Sequence, residues 1–301
     1  MIYDVAVVGA GIAGMTAAIY ALRAGKTVVI FEKESIGGQI SLSPHVENYP
    51  GFGSVSGLEL SDTVFAQATA LGAALEVDEV LSIAREGGVF RIKCAYGEHE
   101  AKSVVLATGL KHRKLDSVAE FEGRGVSYCA VCDGSFYRGK TVAVVGGGNT
   151  AVTEAIYLSD ICEKVYLIHR REGYRAEKAV MDKLLAKENI VRLENKVVTA
   201  AAGGQTIGSL TLTDVRDGSE SELAIDGLFV ALGHEPQNAA FAELMELDSS
   251  GFAASDERCL TRTEGVFTAG DCRSKPVRQL TTAAADGAVA GLAAAKYVDD
   301  L

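Results

Sequence analysis

The sequence predicts an α/β chain with two Rossmann-like nucleotide-binding folds of the three-layer ββα type. Three observations carry this. Gly9-Ala10-Gly11-Ile12-Ala13-Gly14 follows an apolar run and opens a small-residue helix. Gly146-Gly147-Gly148-Asn149-Thr150-Ala151 has the same kind of strand before it and helix after it. Between the two stands Cys129-Ala130-Val131-Cys132-Asp133. A length of 301 residues suits two domains better than one. With 33 glycines and 4 prolines, the composition fits tight strand-to-helix turns and not a low-complexity chain.

The elements follow from apolar periodicity and turn residues. Residues 3–8 read as a strand, 12–24 as an Ala-rich helix able to lie close on a sheet, and Thr27–Phe31 as the next strand, closing at Glu32. Residues 33–60 read as loop, with Gly37-Gly38-Gln39, Pro44 and Val46-Glu47-Asn48-Tyr49-Pro50-Gly51. A helix over 58–71 and strands over 89–93 and 104–106 come next, the last running into Ala107-Thr108-Gly109. A polar connector, 111–122, leads to the cysteine pair. Beyond it lie a strand over 141–145, a helix over 149–159 and a strand over 165–168 that closes at His169-Arg170-Arg171. A helix over 179–186, a β-rich excursion over 191–212 turning at Gly203-Gly204, and a strand over 228–232 complete this part. After Asn238 the pattern changes to a strand ending in Gly270-Asp271 and a long helix from Gln279 to Val298.

The first glycine turn has the context its chemistry needs. Gly9 permits the tight turn, Gly11 lets backbone approach a pyrophosphate, and Gly14 lets the helix pack on the strand. The amides at the helix start then face the anion, and Glu32 can accept hydrogen bonds from a ribose. The bland alternative is an ordinary α/β packing turn. The second turn, with Gly146, Gly148, Asn149 and Thr150, lacks an acid at the ribose position. It has His169, Arg170 and Arg171 there, with Arg175 close behind. Guanidinium forks suit a 2′-phosphate, so the reading is NADPH in preference to NADH. The alternative is a solvated basic turn pairing with Glu172 and Glu177.

The spacing of Cys129 and Cys132 lets two sulfurs close a small ring and store two electrons. Neighbouring amides can lower a thiol pKa, and Asp133 can carry the accompanying proton. Residues 134–140 alone join the pair to the second nucleotide fold, so cysteines and nicotinamide are expected to travel together, with domain rotation bringing each to a flavin.

Net charge is −11, from 29 basic and 40 acidic residues, which argues against a nucleic-acid partner. No signal peptide or membrane span is expected, and the reading is cytoplasmic. Of the 6 cysteines only Cys129 and Cys132 are close in sequence. No metal site is expected.

These motifs together resemble the low-molecular-weight, prokaryotic-type thioredoxin reductases over essentially the whole chain. The resemblance also rests on Gly37-Gly38-Gln39, Val46–Gly51, Ala107–Gly109, Gly270-Asp271 and Arg278-Gln279. It implies an FAD domain in two segments, 1–112 and 240–301, interrupted by an NADPH domain over 113–239 that carries the cysteines. It implies Cys129, Cys132 and Asp133 as the catalytic unit, with Cys132 nearer the flavin. It implies an FAD site with Gly9, Gly11, Gly14, Glu32, Gly38, Gln39, Asn48, Thr108, Gly109, Asp271, Arg278, Gln279 and Leu280. A homodimer, and thioredoxin or a thioredoxin-like protein as disulfide substrate, are implied as well.

Two positions depart from the family. Leu115–Glu120 lacks the usual Pro-Gly, and Cys272 stands where an aliphatic residue is expected; it reads as a small hydrophobe, with an auxiliary thiol as the alternative. The rival functional readings are a ferredoxin-dependent reductase of the same fold, a ferredoxin- or flavodoxin-NADP reductase, the flavoprotein of an alkyl hydroperoxide reductase, and a non-catalytic flavin sensor.

Overall fold

The computed structural model describes residues 1–43 and 45–301; Pro44, expected in the first long loop, lies outside the described residues. The chain forms two compact units, Met1–Lys111 together with Glu235–Leu301, and His112–His234.

The first unit opens with β1 (Ile2–Val8), α1 (Ile12–Arg23), β2 (Val28–Glu32), α2 (Gly57–Ala70), β3 (Ala74–Val77), β4 (Val80–Glu86), β5 (Val89–Cys94) and β6 (Glu98–Leu106). Its sheet runs β3-β2-β1-β6-β5-β4. β1, β2, β3 and β6 pair in parallel, whereas β4, β5 and β6 pair antiparallel. Alternation along the strands sorts side chains to two faces. Val5, Val7, Val28 and Ile30 pack with the alanines of α1. Ala6, Val8, Val29 and Phe31 pack on the opposite face with Phe90 and Ile92.

After β7 (Leu110–His112), the second unit comprises β8 (Val126–Ser127), α3 (Ala130–Asp133), β9 (Thr141–Val145), α4 (Asn149–Ser159), β10 (Lys164–His169), α5 (Lys178–Leu185), β11 (Ile190–Glu194), β12 (Lys196–Gly203), β13 (Ile207–Asp214), β14 (Glu220–Ala224) and β15 (Gly227–Val230). A parallel sheet, β11-β10-β9-β15-β8, has α4 and α5 on one face and the antiparallel sheet β12-β13-β14 on the other. These are the three layers expected of a Rossmann-like unit with a β-sheet cover.

The chain returns through β16 (His234–Pro236), and then β17 (Val266–Thr268) and α6 (Leu280–Asp299) complete the first unit. β17 joins the parallel part of its sheet at the C-terminal half of β6, and α6 packs on α1 through small side chains such as Ala17, Ala290 and Ala294. β7 and β16, the two crossing segments, pair with each other. The units divide at 111/112 and 234/235, where junctions after 112 and 239 were expected. Residues 235–239 side with the first unit because Asn238 is bonded there. Its side chain is buried, accepts from Thr108 Oγ1 at 2.9 Å, and donates to the carbonyls of Gly251 and Cys272 at 3.0 and 2.9 Å.

Sequence periodicity did not reveal β3, β4 or β14. β4 shows why: from Leu81 to Glu86 it is exposed or half-buried, so no apolar stripe marks it, and pairing with β5 makes it a strand. Short 3₁₀ segments form where loop was expected, at Gly38–Leu42 and Asp116–Phe121. Among the described residues no helix is long and apolar enough to cross a membrane.

Candidate active site

Cys129 and Cys132 form a disulfide at the start of α3, with Cα atoms 5.3 Å apart. Cys129 is the N-cap of this short helix, and its sulfur accepts from the Cys132 amide at 3.2 Å. One hydroxyl organises the turn. Ser127 Oγ accepts from the Cys129 amide at 3.1 Å and donates to Asp133 Oδ2 at 2.6 Å. The serine thus fixes the entry of the first cysteine and the carboxylate that follows the second. Beneath the turn lies α4. A Cβ on Gly134 would come within 3.0 Å of the Leu158 side chain of α4 and of the Ile161 side chain just beyond it, so those side chains pack directly on the Gly134 backbone.

Glu154, on α4, faces this turn. Burial pushes its carboxyl up to about 7, opposed by a hydrogen bond from the Ala130 amide. Sequence reading singled out neither Ser127 nor Glu154. Ser127 lies two residues before the motif, and Glu154 is one helical turn past a glycine signature; only the fold brings both to the disulfide. Tyr128 is held by Glu122, its hydroxyl 2.5 Å from Oε1, and its ring stacks on His112.

The second glycine turn lies in the same unit as the disulfide. Gly148 is the N-cap of α4, so the amides of Asn149 and Thr150 lie in its first turn, where helix geometry leaves donors suited to an anion. His169 closes the turn from the end of β10. A Cβ at Gly147 would sit 2.1 Å from its imidazole, so only glycine allows the ring this position. Burial, with help from Arg170 and Arg175, holds the His169 pKa below its ordinary value, and Nε2 is buried without a hydrogen-bond partner. Arg175 donates its amide to the Gly147 carbonyl at 2.7 Å, which brings the basic segment beside the turn. Arg170, Arg171 and Arg175 are exposed and form no ion pair among the described residues. Glu177 is engaged instead by Asn149, which donates to its carboxylate at 3.1 Å and accepts from its amide at 2.8 Å. The local pairing with Glu172 and Glu177 that would make this a plain basic turn is not formed.

In the first unit, Gly9 has φ +104°, and a Cβ there would lie 2.3 Å from the Ala107 carbonyl oxygen. Gly11 bridges Gly37, which brings Gly38 and Gln39 beside the turn. Glu32 accepts from the Ala10 amide at 2.8 Å through Oε2 and from the Glu34 amide at 2.8 Å through Oε1. The carboxylate is therefore held in place, with lone pairs left for a ligand. A cavity of about 310 Å³ opens here, lined by Gly9, Phe31, Glu32, Thr108 and Gln237.

Residues far apart in sequence meet around this region. Asn48 donates to Gln279 Oε1 at 3.1 Å. Gln279 caps α6 in a reciprocal box with Thr282, and Leu280 packs with Ile12 and Met15. Gly109 adopts φ +65° after Thr108. Arg278 turns inward, stacks on Phe252 and donates to the Asp271 and Arg273 carbonyls at 3.2 and 3.1 Å. Asp271 Oδ1 is buried and has no hydrogen-bond partner. An unsatisfied buried carboxylate oxygen beside a glycine cradle suits a ligand bearing hydroxyls. The residues of the first unit therefore fit a flavin.

Cys272, next to Asp271, is fully buried; its sulfur contacts Thr268 Oγ1 and the Ala269 carbonyl at 3.4 and 3.2 Å. It packs as a small apolar residue. The other free cysteines, Cys94, Cys162 and Cys259, are also buried.

The chain matches the family described as pyridine nucleotide-disulphide oxidoreductase over residues 3–288. It is 43% identical to a thioredoxin reductase of Treponema pallidum over 302 residues, covering 99% of this chain and 98% of the relative. Identity to a thioredoxin reductase of Listeria innocua is 41%, covering 100% of this chain and 95% of the relative. A crystal structure of thioredoxin reductase from Streptococcus pyogenes superposes with a TM-score of 0.96 at 36% identity, covering 100% of this chain and 99% of that one.

Proposed function

The chain belongs to the pyridine nucleotide-disulphide oxidoreductase family, and on that premise we propose that it is an NADPH-dependent thioredoxin reductase holding FAD. The observation that carries this reading is the disulfide Cys129–Cys132, with Asp133 held at its side, in the same unit as an arginine-rimmed nucleotide turn.

When bound, the flavin supplies the step between a two-electron hydride donor and a disulfide acceptor. This chain's residues do the rest. Gly9, Gly11 and Gly14 cradle the FAD pyrophosphate, with Glu32 on the ribose. Gly38, Gln39, Asn48, Thr108, Gly109, Asp271, Arg278, Gln279 and Leu280 complete the flavin site. Gly146, Gly148, Asn149, Thr150 and His169 hold the nicotinamide nucleotide, and Arg170, Arg171 and Arg175 read its 2′-phosphate.

The Cys129–Cys132 bond takes two electrons and two protons to become a dithiol. Asp133 moves a proton at the cysteine beside it, and Ser127 holds that carboxylate in place. One thiolate then attacks the thioredoxin disulfide, forming a mixed disulfide and expelling a substrate thiolate. The second cysteine displaces the substrate's other sulfur, which closes Cys129–Cys132 again and leaves reduced thioredoxin. Electrons balance, with one disulfide formed for each reduced.

We also read the enzyme as a cytoplasmic homodimer. Its four buried free thiols suit a reducing compartment. Tyr20 on α1 and Val289 and Leu292 on α6 are large exposed apolar residues available to a second copy.

Steady-state NADPH oxidation with thioredoxin-like proteins, with NADH and reduced ferredoxin as competing donors, tests this reading. NADPH-driven reduction of a thioredoxin disulfide is the expected result. Electron transfer from ferredoxin alone would overturn the choice of donor. FAD binding without any disulfide reduction would favour a sensor.

A further inference from the structure

The Ala-rich helix α6 carries one acid in its interior, Asp286, and that acid anchors a group of four charges, three of them buried and the fourth, Asp271, 33% exposed. Asp286 Oδ1 lies 2.6 Å from the Arg273 guanidinium, and Oδ2 accepts from Lys275 Nζ and from the Gly270 amide, both at 3.0 Å. The three charged side chains are only 5%, 10% and 12% exposed for Arg273, Lys275 and Asp286. Lys275 is the branch point. Its ammonium also lies 3.6 Å from Asp271 Oδ1 and donates to Thr282 Oγ1 at 3.3 Å. Two carboxylates and two cations balance.

Within this balance the two acids are treated differently. Asp286 receives three donors. Asp271 keeps one buried oxygen without a hydrogen bond. Burial pushes the Asp271 carboxyl upward; the charges of Lys275 and Arg278 oppose that, and so does the Lys275 ammonium as a donor that at 3.6 Å stands just short of a full hydrogen bond, while Asp286 adds to the rise. An ammonium has three donors and moves on a flexible stem, so its position is set by the carboxylate that holds it best.

We propose that Asp286 is a positioning residue for the flavin site: it draws Lys275 onto itself, so that Asp271 Oδ1 stays open for a flavin hydroxyl. The hydrogen bond from the Gly270 amide to the same carboxylate fixes the turn that presents Asp271. This rests on the reading above that Asp271 meets the flavin. Without the Asp286 charge, Lys275 is left with Asp271 as its one carboxylate partner among the described residues. The 3.6 Å separation then needs only a short side-chain adjustment to become a hydrogen bond that occupies the open oxygen.

The test is FAD titration of flavin-stripped full-length protein, followed by flavin fluorescence, for four chains. Asp286→Asn is expected to weaken FAD binding roughly tenfold or more, the scale of losing one buried hydrogen bond to a charged group. Adding Lys275→Met to it removes the competing ammonium and restores charge balance. The double variant is expected to return to within about threefold of the unaltered chain, a non-additivity that a double-mutant cycle reads directly. Lys275→Met alone is expected to stay within about threefold.

An Asp286→Asn chain that binds FAD normally, or a double variant that binds no more tightly than Asp286→Asn, overturns the proposal. So does Lys275→Met alone weakening FAD tenfold, which decides the matter should Asp286→Asn fail to fold. A structural role alone predicts that the second substitution adds to the damage. If the unaltered chain binds no FAD, the flavin reading itself falls. If it binds FAD and the variants do not differ, only the role of Asp286 falls.

Discussion

Ser127 Oγ lies 2.6 Å from Asp133 Oδ2, and the same oxygen accepts the Cys129 amide at 3.1 Å. A single hydroxyl therefore ties both ends of the redox motif. Removing it leaves the Cys129 amide without this acceptor and takes one short hydrogen bond from the Asp133 carboxylate. Ser127→Ala is expected to lower kcat with thioredoxin about tenfold, the cost of losing the support of a general acid–base group. Flavin content should stay unchanged. Steady-state kinetics with absorbance of the bound flavin checks both, and an unaltered kcat would remove Ser127 from the mechanism.

The arginine rim predicts cofactor preference. Arg170→Ala with Arg171→Ala removes two charge-assisted donors, together about 2–4 kcal/mol in binding. The NADPH KM should rise by roughly two orders of magnitude while the NADH KM barely moves. Equal effects on both nucleotides would mean that these side chains do not meet the 2′-phosphate.

Glu154 gives the pH prediction. Its folded pKa, about 7, lies above the ordinary 4.5 because burial opposes its charge. A raised carboxyl pKa means that the folded state binds the proton more tightly than the unfolded chain. The stability it contributes is complete below about pH 4.5 and is lost as pH rises through 7, by up to about 3 kcal/mol. Glu154→Gln removes that dependence. The Tm of the variant relative to the unaltered chain should therefore rise between pH 5 and pH 8, as thermal melts across this range would show. A constant difference would place the carboxyl in a more solvated setting than the structure describes.

Asn238 is one of the side chains that bind the two segments of the first unit together. It is 1% exposed, and its partners include Thr108, Gly251 and Cys272. Asn238→Ala leaves the Gly251 carbonyl and the Thr108 hydroxyl without this partner and takes one of two donors from the Cys272 carbonyl, which keeps the Ala253 amide; the cost is about 2 kcal/mol or more. Denaturant unfolding should show the loss, with the disulfide-bearing unit less affected if the two units melt separately.

Cys272 is expected to be inert. It is fully buried, and its sulfur is surrounded by backbone carbonyls and Thr268. Cys272→Val should leave turnover and peroxide sensitivity unchanged within about twofold. A clear gain in peroxide resistance would restore the auxiliary thiol reading.

The legible part of this protein is local. Gly9–Gly14, Gly146–Ala151 and Cys129–Asp133 are each built from a few consecutive residues, because a glycine turn at a helix start and a two-sulfur ring are short-range features. Strands such as β1 and β9, buried on both faces, announce themselves as apolar runs. β4 does not, because its pairing with β5, and not its own pattern, makes it a strand.

Sequence alone determined the two glycine turns, the cysteine pair and the basic segment that follows β10. Tertiary structure decided which distant groups complete them. Asn48 meets Gln279, Ser127 reaches past the first cysteine to Asp133, Glu154 comes up beneath Ala130, and Asp286 reaches from a helix to the Gly270–Lys275 segment. The physical reason is the range of the forces. Backbone turn geometry is set by neighbours in the chain, whereas burial and charge pairing depend on packing that only the folded sheet and helices supply.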